Sequence, residues 1–177
     1  LRAAADLQDL VAAAPDIRRL AHALLAQGLS ARSLTELISQ LNDLLTERAV
    51  QLVARQRGLD LQRACWIAFG SEGRSEQTIA TDQDNGLVFA SDDPAAERPQ
   101  WLALGQQVND TLDACGYPLC QGLIMAGQPD CCLAVDEWIE RFGRWIDRGA
   151  PEDLLKASRY FDFRPLAGAL ALAAPLR

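Results

Sequence analysis

CWIAFGSEGRSEQTIATDQDNGLVFA, residues 65–90, is the stretch on which the reading of this chain turns. It opens with a short apolar run, Cys65 to Phe69, that stops abruptly at Gly70 and Ser71, and its length and aromatic content favour a buried strand over a helix. Residues 74–80 are polar and long enough for one or two helical turns. From Asp82 to Ala90 the chain passes from polar to apolar and reads as a second strand. The chemistry gathers between the two strands.

Asp82 and Asp84 stand two apart, and a strand's period of two puts both carboxylates on one face with Gln83 pointing away. Hard divalent cations take oxygen ligands, often one or two carboxylates plus substrate phosphates and water. Two such ions, about 3.5–4 Å apart, can clamp the attacking and leaving oxygens of a phosphoryl or nucleotidyl transfer. Alone, an Asp-x-Asp pair equally suits a solvated strand start or turn. Here Ser71 lies eleven residues before Asp82, in the strand-to-loop junction Phe69-Gly70-Ser71-Glu72-Gly73-Arg74. Gly70 and Gly73 let the backbone turn and approach a ligand closely. A helix starting there would offer free N–H groups and the Ser71 hydroxyl to a polyphosphate. Together the two motifs describe a triphosphate cradle facing a metal cradle.

Gly70-Ser71 with Arg74, followed by Asp82-x-Asp84, resembles the signature of the DNA polymerase β-like nucleotidyltransferase superfamily, in which a Gly-Ser or Gly-Gly turn precedes a metal-binding Asp-x-Asp strand. The longer strings GSEGRSEQT and TDQDN are more specific. They resemble the nucleotidyltransferase domain related to the amino-terminal domain of the PII-protein uridylyltransferase, a domain often linked to cyclic-nucleotide-binding and CBS modules in bacterial signalling proteins. LIMAGQPDCC and RYFDFRPLAG are similar to the same family, so the likeness runs from about residue 60 to 168. The preceding helices match the linker that joins the regulatory modules to this domain.

The resemblance implies that Gly70, Ser71 and Arg74 bind the phosphates of a nucleoside triphosphate, and that Asp82 and Asp84 are catalytic and hold Mg2+ or Mn2+. Glu76, Thr81 and Asn85 flank these groups as residues that could orient them. For Arg74, phosphate contact and pairing with a carboxylate both use the planar fork of the guanidinium, and both stay open. Thr81 and Asn85 suit a plain strand start equally well. The implied activity is Mg2+-dependent transfer of a nucleoside monophosphate to an acceptor, a protein by analogy with the PII uridylyltransferase, in bacterial signal transduction. A nucleotide-binding regulatory module without turnover is the alternative. Many active superfamily members take a third carboxylate from a later strand, and the candidate here, CQGLIMA, carries none. Asp130 falls in a loop after it and Asp162 in a predicted helix.

Outward from this centre the chain is helical. Residues 1–58 show apolar positions at Leu34, Leu37, Ile38, Leu41, Leu44 and Leu45, the recurrence of one helix face. Ser33 and Glu36 form a capping box, Gly58 is a stop, and Pro15 marks a break or a first helical position in the segment before Gly28. Asp92 to Pro99 reads as a loop, Trp101 to Ala114 as a helix, Tyr117 to Ala126 as a third strand, and 136–147 and 151–161 as helices. Trp138, Phe142 and Trp145 recur at helical spacing and read as core. The expected fold is therefore α/β (α+β): a short mixed sheet of the nucleotidyltransferase type flanked by helices, with helical N- and C-terminal segments. It divides into a helical linker segment at 1–58, a nucleotidyltransferase-like core at 59–135 and a helical extension at 136–177. Either the first segment is a lever joining upstream regulatory modules to the site, or its helices simply cover one side of the sheet.

Composition narrows the partners. At 177 residues, 49% apolar and 23% charged, the chain has the make-up of an ordinary globular domain. Seventeen Lys and Arg against 24 Asp and Glu give a net charge of -7, which argues against a nucleic-acid partner held by its phosphate backbone. No apolar run approaches the ~18–20 residues that span a bilayer, and no charged-then-apolar leader opens the chain, so no membrane partner is expected. Five cysteines, two of them adjacent at Cys131 and Cys132, suit reduced thiols in the cytoplasm better than a disulfide framework. Structural zinc would need ligand spacings that the lone His22 and these cysteines lack. A chain that begins at Leu1 and ends at Arg177 reads as a piece of a longer protein.

Overall fold

A computed structural model describes residues 1–78, 81–148 and 160–177. The apolar run of the opening motif becomes the second-from-edge strand β1 (Ala64–Ala68). Strand β2 (Asn85–Phe89) pairs antiparallel with it, Trp66 opposite Leu87 and Ala68 opposite Asn85. Strand β3 (Cys132–Ala134) lies parallel to β2, and β4 (Arg164–Gly168) lies antiparallel to β1 on its other side, giving a mixed sheet of order β3-β2-β1-β4. The fold class is as the sequence predicts.

Every residue of β1, β2 and β3 is buried, so both faces of the sheet are covered. The pleat sorts the side chains. Trp66, Leu87, Phe89 and Cys132 join a core shared with α1 (Leu7–Ala26), α2 (Ala31–Arg57) and α4 (Pro94–Ala114). Cys65, Ile67, Phe69 and Val88 face the opposite way, towards α5 (Val135–Arg148) and the 3-10 turns of Leu170–Leu176. The first two helices thus cover one face of the sheet.

Several local expectations are corrected. Pro15 neither breaks nor starts a helix but sits inside α1, on the exposed side, where the carbonyl it leaves without a donor can be hydrated. Helix α2 is capped by Ser30, whose hydroxyl accepts from the Ser33 N–H at 3.2 Å, and Glu36 pairs with Arg32 instead of closing a capping box. Gly58, at φ +65°, does end it. The stretch expected as an acidic loop is the first turn of α4, with Asp93 as cap and Pro94 at the first position, where a missing N–H costs nothing.

Tyr117 to Ala126 is not a strand. It runs beside the start of β2, the Pro118 and Ile124 carbonyls accepting from the Gln83 and Asn85 N–H groups at 2.9 and 3.0 Å, but a turn with Leu123 at φ +58° breaks the ladder. The strand falls instead on Cys132–Ala134. Of the helix expected over 151–161, residues 151–159 lie outside the described residues. Arg164 to Gly168, within the segment expected as a helical extension, supplies an edge strand, where Pro165 is tolerated. Among the described residues no helix is long and apolar enough to cross a membrane.

Candidate functional site

The two motifs meet where β1 ends and β2 begins. The Phe69 N–H donates to the Asp84 carbonyl at 2.9 Å, extending the antiparallel pairing one step past the sheet. Gly70 then turns the chain at φ +53°, a conformation that L side chains rarely adopt, and opens a single helical turn, α3 (Gly70–Gly73). A Cβ on Gly70 would stand 3.4 Å from Asp84 Oδ2, so the glycine also leaves room beside that carboxylate. At the far end of the turn, a Cβ on Gly73 would stand 2.2 Å from the Asp162 carbonyl oxygen. The segment before β4 therefore presses directly on the turn.

Asp82 to Asp84 are extended but precede the strand proper, which starts at Asn85. Alternation persists through them: Asp82 is exposed and Asp84 half-buried, whereas Gln83 and Asn85 are buried. Behind them, the Asn109 side chain on α4 donates to Gln83 Oε1 at 2.8 Å and to Asn85 Oδ1 at 3.0 Å. The Gln83 amide donates to the Tyr117 carbonyl at 2.7 Å, and the Ala126 N–H to Asn85 Oδ1 at 2.8 Å. This network, buried under α4, presents the two aspartates on the opposite side. There a cavity of about 420 Å³ is lined by Gly70, Arg74, Asp82, Asp84, Cys120, Gly122 and Ile124.

Four of the residues singled out in the sequence, Gly70, Arg74, Asp82 and Asp84, thus share one cavity. Ser71 follows on the same turn but is not among the lining residues. Arg74 pairs with Glu76 at 2.8 Å and with Asp162 at 2.7 Å, which raises its pKa further above the usual arginine value, and it lines the cavity as well. Glu76 is thus a partner of the arginine and lies outside the cavity lining. Thr81 accepts from the Thr78 N–H at 2.7 Å and closes a turn outside the cavity lining. Asn85 acts from behind, through Asn109 and Ala126.

Neither candidate for a third carboxylate joins the pair. Asp130 is engaged by Arg141 at 3.1 Å and Asp162 by Arg74. Among the described residues no three His, Cys, Asp or Glu side chains are grouped as a metal site. Two hard carboxylate oxygens on one side of a cavity do fit Mg2+ or Mn2+ when phosphate oxygens complete the shell.

Other participants have no sequence signal, because they arrive by packing. Cys120 Sγ donates to Asp84 Oδ1 at 3.3 Å; burial, with Asp84 adding to it, pushes this thiol's pKa up. Glu72, inside the turn, is 1% exposed, and burial pushes its carboxyl up to about 8, with Asp43 adding to the effect and Tyr117 and Arg164 opposing it. Such a group is largely neutral at pH 7.

The profile of the family described as "Putative nucleotidyltransferase DUF294" matches residues 15–152. The chain belongs to this family. The match contains the Gly-Ser turn, Arg74 and both aspartates, along with most of α1, all of α2 and α4, and the whole of α5. No curated protein matches the chain in sequence.

Proposed function

We propose that this nucleotidyltransferase domain moves a nucleoside monophosphate from a nucleoside triphosphate to a protein acceptor, with Mg2+ or Mn2+ held by Asp82 and Asp84. One observation carries the reading: Gly70, Arg74, Asp82 and Asp84, from two segments of chain, line a single cavity of a size that suits a small molecule. Gly70 and Ser71 take the phosphates, which the missing Cβ of Gly70 allows to come close to Asp84. Arg74, already fixed by Glu76 and Asp162, adds a positive charge whose position is set before substrate arrives. A cation held by Asp82 and Asp84 would supply charge neutralisation at the phosphates. The acceptor oxygen attacks the α-phosphorus, the bond from that phosphorus to the bridging oxygen breaks, pyrophosphate leaves, and the acceptor's proton passes to water.

A second cavity, of about 440 Å³, adjoins the first across Gly122 and Ile124 and is lined further by Asp130, Arg141, Arg144, Trp145 and Tyr160. It offers room for the nucleoside or the acceptor beside the phosphates. Likeness to the PII uridylyltransferase family supports a place in bacterial signal transduction in the cytoplasm, downstream of regulatory modules such as CBS domains. In that arrangement 1–58 is the linker segment, 59–135 the catalytic core and 136–177 the extension, a division of roles, since α1 and α2 share a core with the sheet.

Pyrophosphate release from each of the four common nucleoside triphosphates, with Mg2+, tests the proposal. Release that Asp82→Asn and Asp84→Asn both abolish, with little loss of folding stability, is the expected result, since each change relieves repulsion between neighbouring like charges. Mg2+-triphosphate binding without pyrophosphate would identify a binding module instead. Undiminished affinity in both variants would remove the metal assignment.

A further inference from the structure

The phosphate turn is held from both ends, at its start by backbone pairing and at its finish by a side chain. At its start, β1 and the Phe69–Asp84 hydrogen bond fix Gly70. At its finish stands Arg164, the first residue of β4, paired in register with Ala68. Its Nη2 donates to the Glu72 carbonyl at 3.0 Å and its Nε to the Gly73 carbonyl at 3.3 Å, so one planar fork grips the end of α3. The same Nη2 donates to Asp43 Oδ1 on α2 at 2.9 Å. Both side chains of this pair are mostly buried, at 28% and 22% exposed, so the ion pair is screened less than a surface one. A second tether follows within the same segment: the Gln77 N–H donates to Ser39 Oγ, one helical turn before Asp43 on α2, at 3.1 Å.

The geometry points to Arg164 as a positioning residue for the phosphate turn, anchored by Asp43, so that the placement of α2 sets the placement of Gly70 to Gly73. The inference rests on the proposed function and adds to it a device the two motifs do not contain. Arg164 is not among the residues lining the cavity, so its role is exerted through the backbone of α3. A cation at the C-terminal end of a helical turn interacts favourably with the carbonyls exposed there. Without it, those carbonyls lose a fixed partner and the turn gains freedom that a bound triphosphate must then remove. Asp43 matters because a guanidinium on a long side chain holds two carbonyls in place only if it is itself held. A shift of α2 would therefore reach the phosphate turn through one ion pair and one hydroxyl.

The test measures binding of Mg2+-tripolyphosphate by calorimetry, and KM and kcat for pyrophosphate release, in the full chain. Arg164→Met should weaken tripolyphosphate binding tenfold or more and raise KM with kcat within twofold of the parent. Asp43→Asn, which leaves the guanidinium in place but loosens its anchor, should weaken binding about threefold. Trp101→Phe, a core change on the far face of the sheet, serves as a control and should leave binding unchanged despite a lowered Tm. If Arg164→Met is folded and binds like the parent, or if Arg164→Met fails to fold and Asp43→Asn binds like the parent, the positioning role is overturned. Loss of binding in Asp84→Asn alongside normal binding in Arg164→Met overturns this inference and leaves the proposed function standing. A parent chain that does not bind Mg2+-tripolyphosphate removes both.

Discussion

The two faces of the sheet are closed by different kinds of structure. One is covered by α1, α2 and α4, three regular helices of 20 or more residues whose apolar stripes meet Trp66, Leu87 and Phe89. The other is covered by α5, the 3-10 turns of Leu170–Leu176, the irregular 117–126 segment and an aromatic cluster. In that cluster the rings of Phe69, Trp138, Phe142, Trp145 and Tyr160 stand 5.0–6.2 Å from their neighbours. Asp82 and Asp84 continue the second face, and the buried Gln83 and Asn85 continue the first, where α4 holds them through Asn109. A regular helix satisfies its own backbone and presents only side chains, so it makes a good wall. Glycine turns and irregular backbone can come close to a ligand, and those beside Asp82 and Asp84 belong to the second face.

The largest expected effect separates the faces directly. Phe69→Ala and Trp101→Ala each remove a fully buried ring and should cost about 3–5 kcal/mol in urea unfolding. Because Phe69 immediately precedes Gly70 and packs on Trp138 and Tyr160, only its loss should also weaken Mg2+-triphosphate binding in the protein that stays folded. Equal binding by the two variants would erase the functional distinction between the faces.

A smaller effect comes from Glu72, buried beneath the turn. Its carboxyl sits at about 8 when folded against an ordinary 4.5, so between these values the native state binds more protons than the unfolded chain. Stability should therefore fall as pH rises from about 4.5 and be lost progressively as pH passes through about 8. Glu72→Gln keeps the shape without the ionisation, so its Tm should gain steadily on the parent's across that interval. A Tm difference independent of pH would mean that the carboxyl is already charged in the folded protein.

The smallest is Ser71→Ala, one hydroxyl on the turn. Triphosphate affinity should drop by about 0.5–1.5 kcal/mol, or up to ~3 if the hydroxyl meets a charged phosphate, with no change in Tm. Gly70→Val should be the more severe of the two, because a Cβ there meets Asp84 Oδ2 and the residue would be held at φ +53°. The reverse order would make the turn a structural feature with no part in phosphate binding.

Much of this was legible in the sequence. The abrupt halt of an apolar run at Gly70 marks the end of a buried strand, because a strand that short and that apolar has nowhere to go but the interior. The spacing of Asp82 and Asp84 puts both on one face, because alternation is a property of extended backbone and persists even where the ladder has not yet begun. What misled was local likeness: Tyr117 to Ala126 has the composition of a strand, yet the turn at Leu123 and the short reach of its pairing to Gln83 and Asn85 leave it irregular. The cap of α2 moved from Ser33 to Ser30 because both residues can cap, and only the packed helix selects between them.

Sequence by itself determined the buried strand that stops at Gly70, the glycine turn and the common face of the two aspartates, since each follows from backbone geometry within a few neighbouring residues. Tertiary structure alone decided that Asn109 backs the aspartates, that Cys120 meets Asp84, that Glu72 is buried and that Arg164 joins Asp43 to the Gly70–Gly73 turn. These contacts span up to 121 residues of chain, and long-range pairing depends on how all the apolar faces are buried at once, which no local pattern encodes.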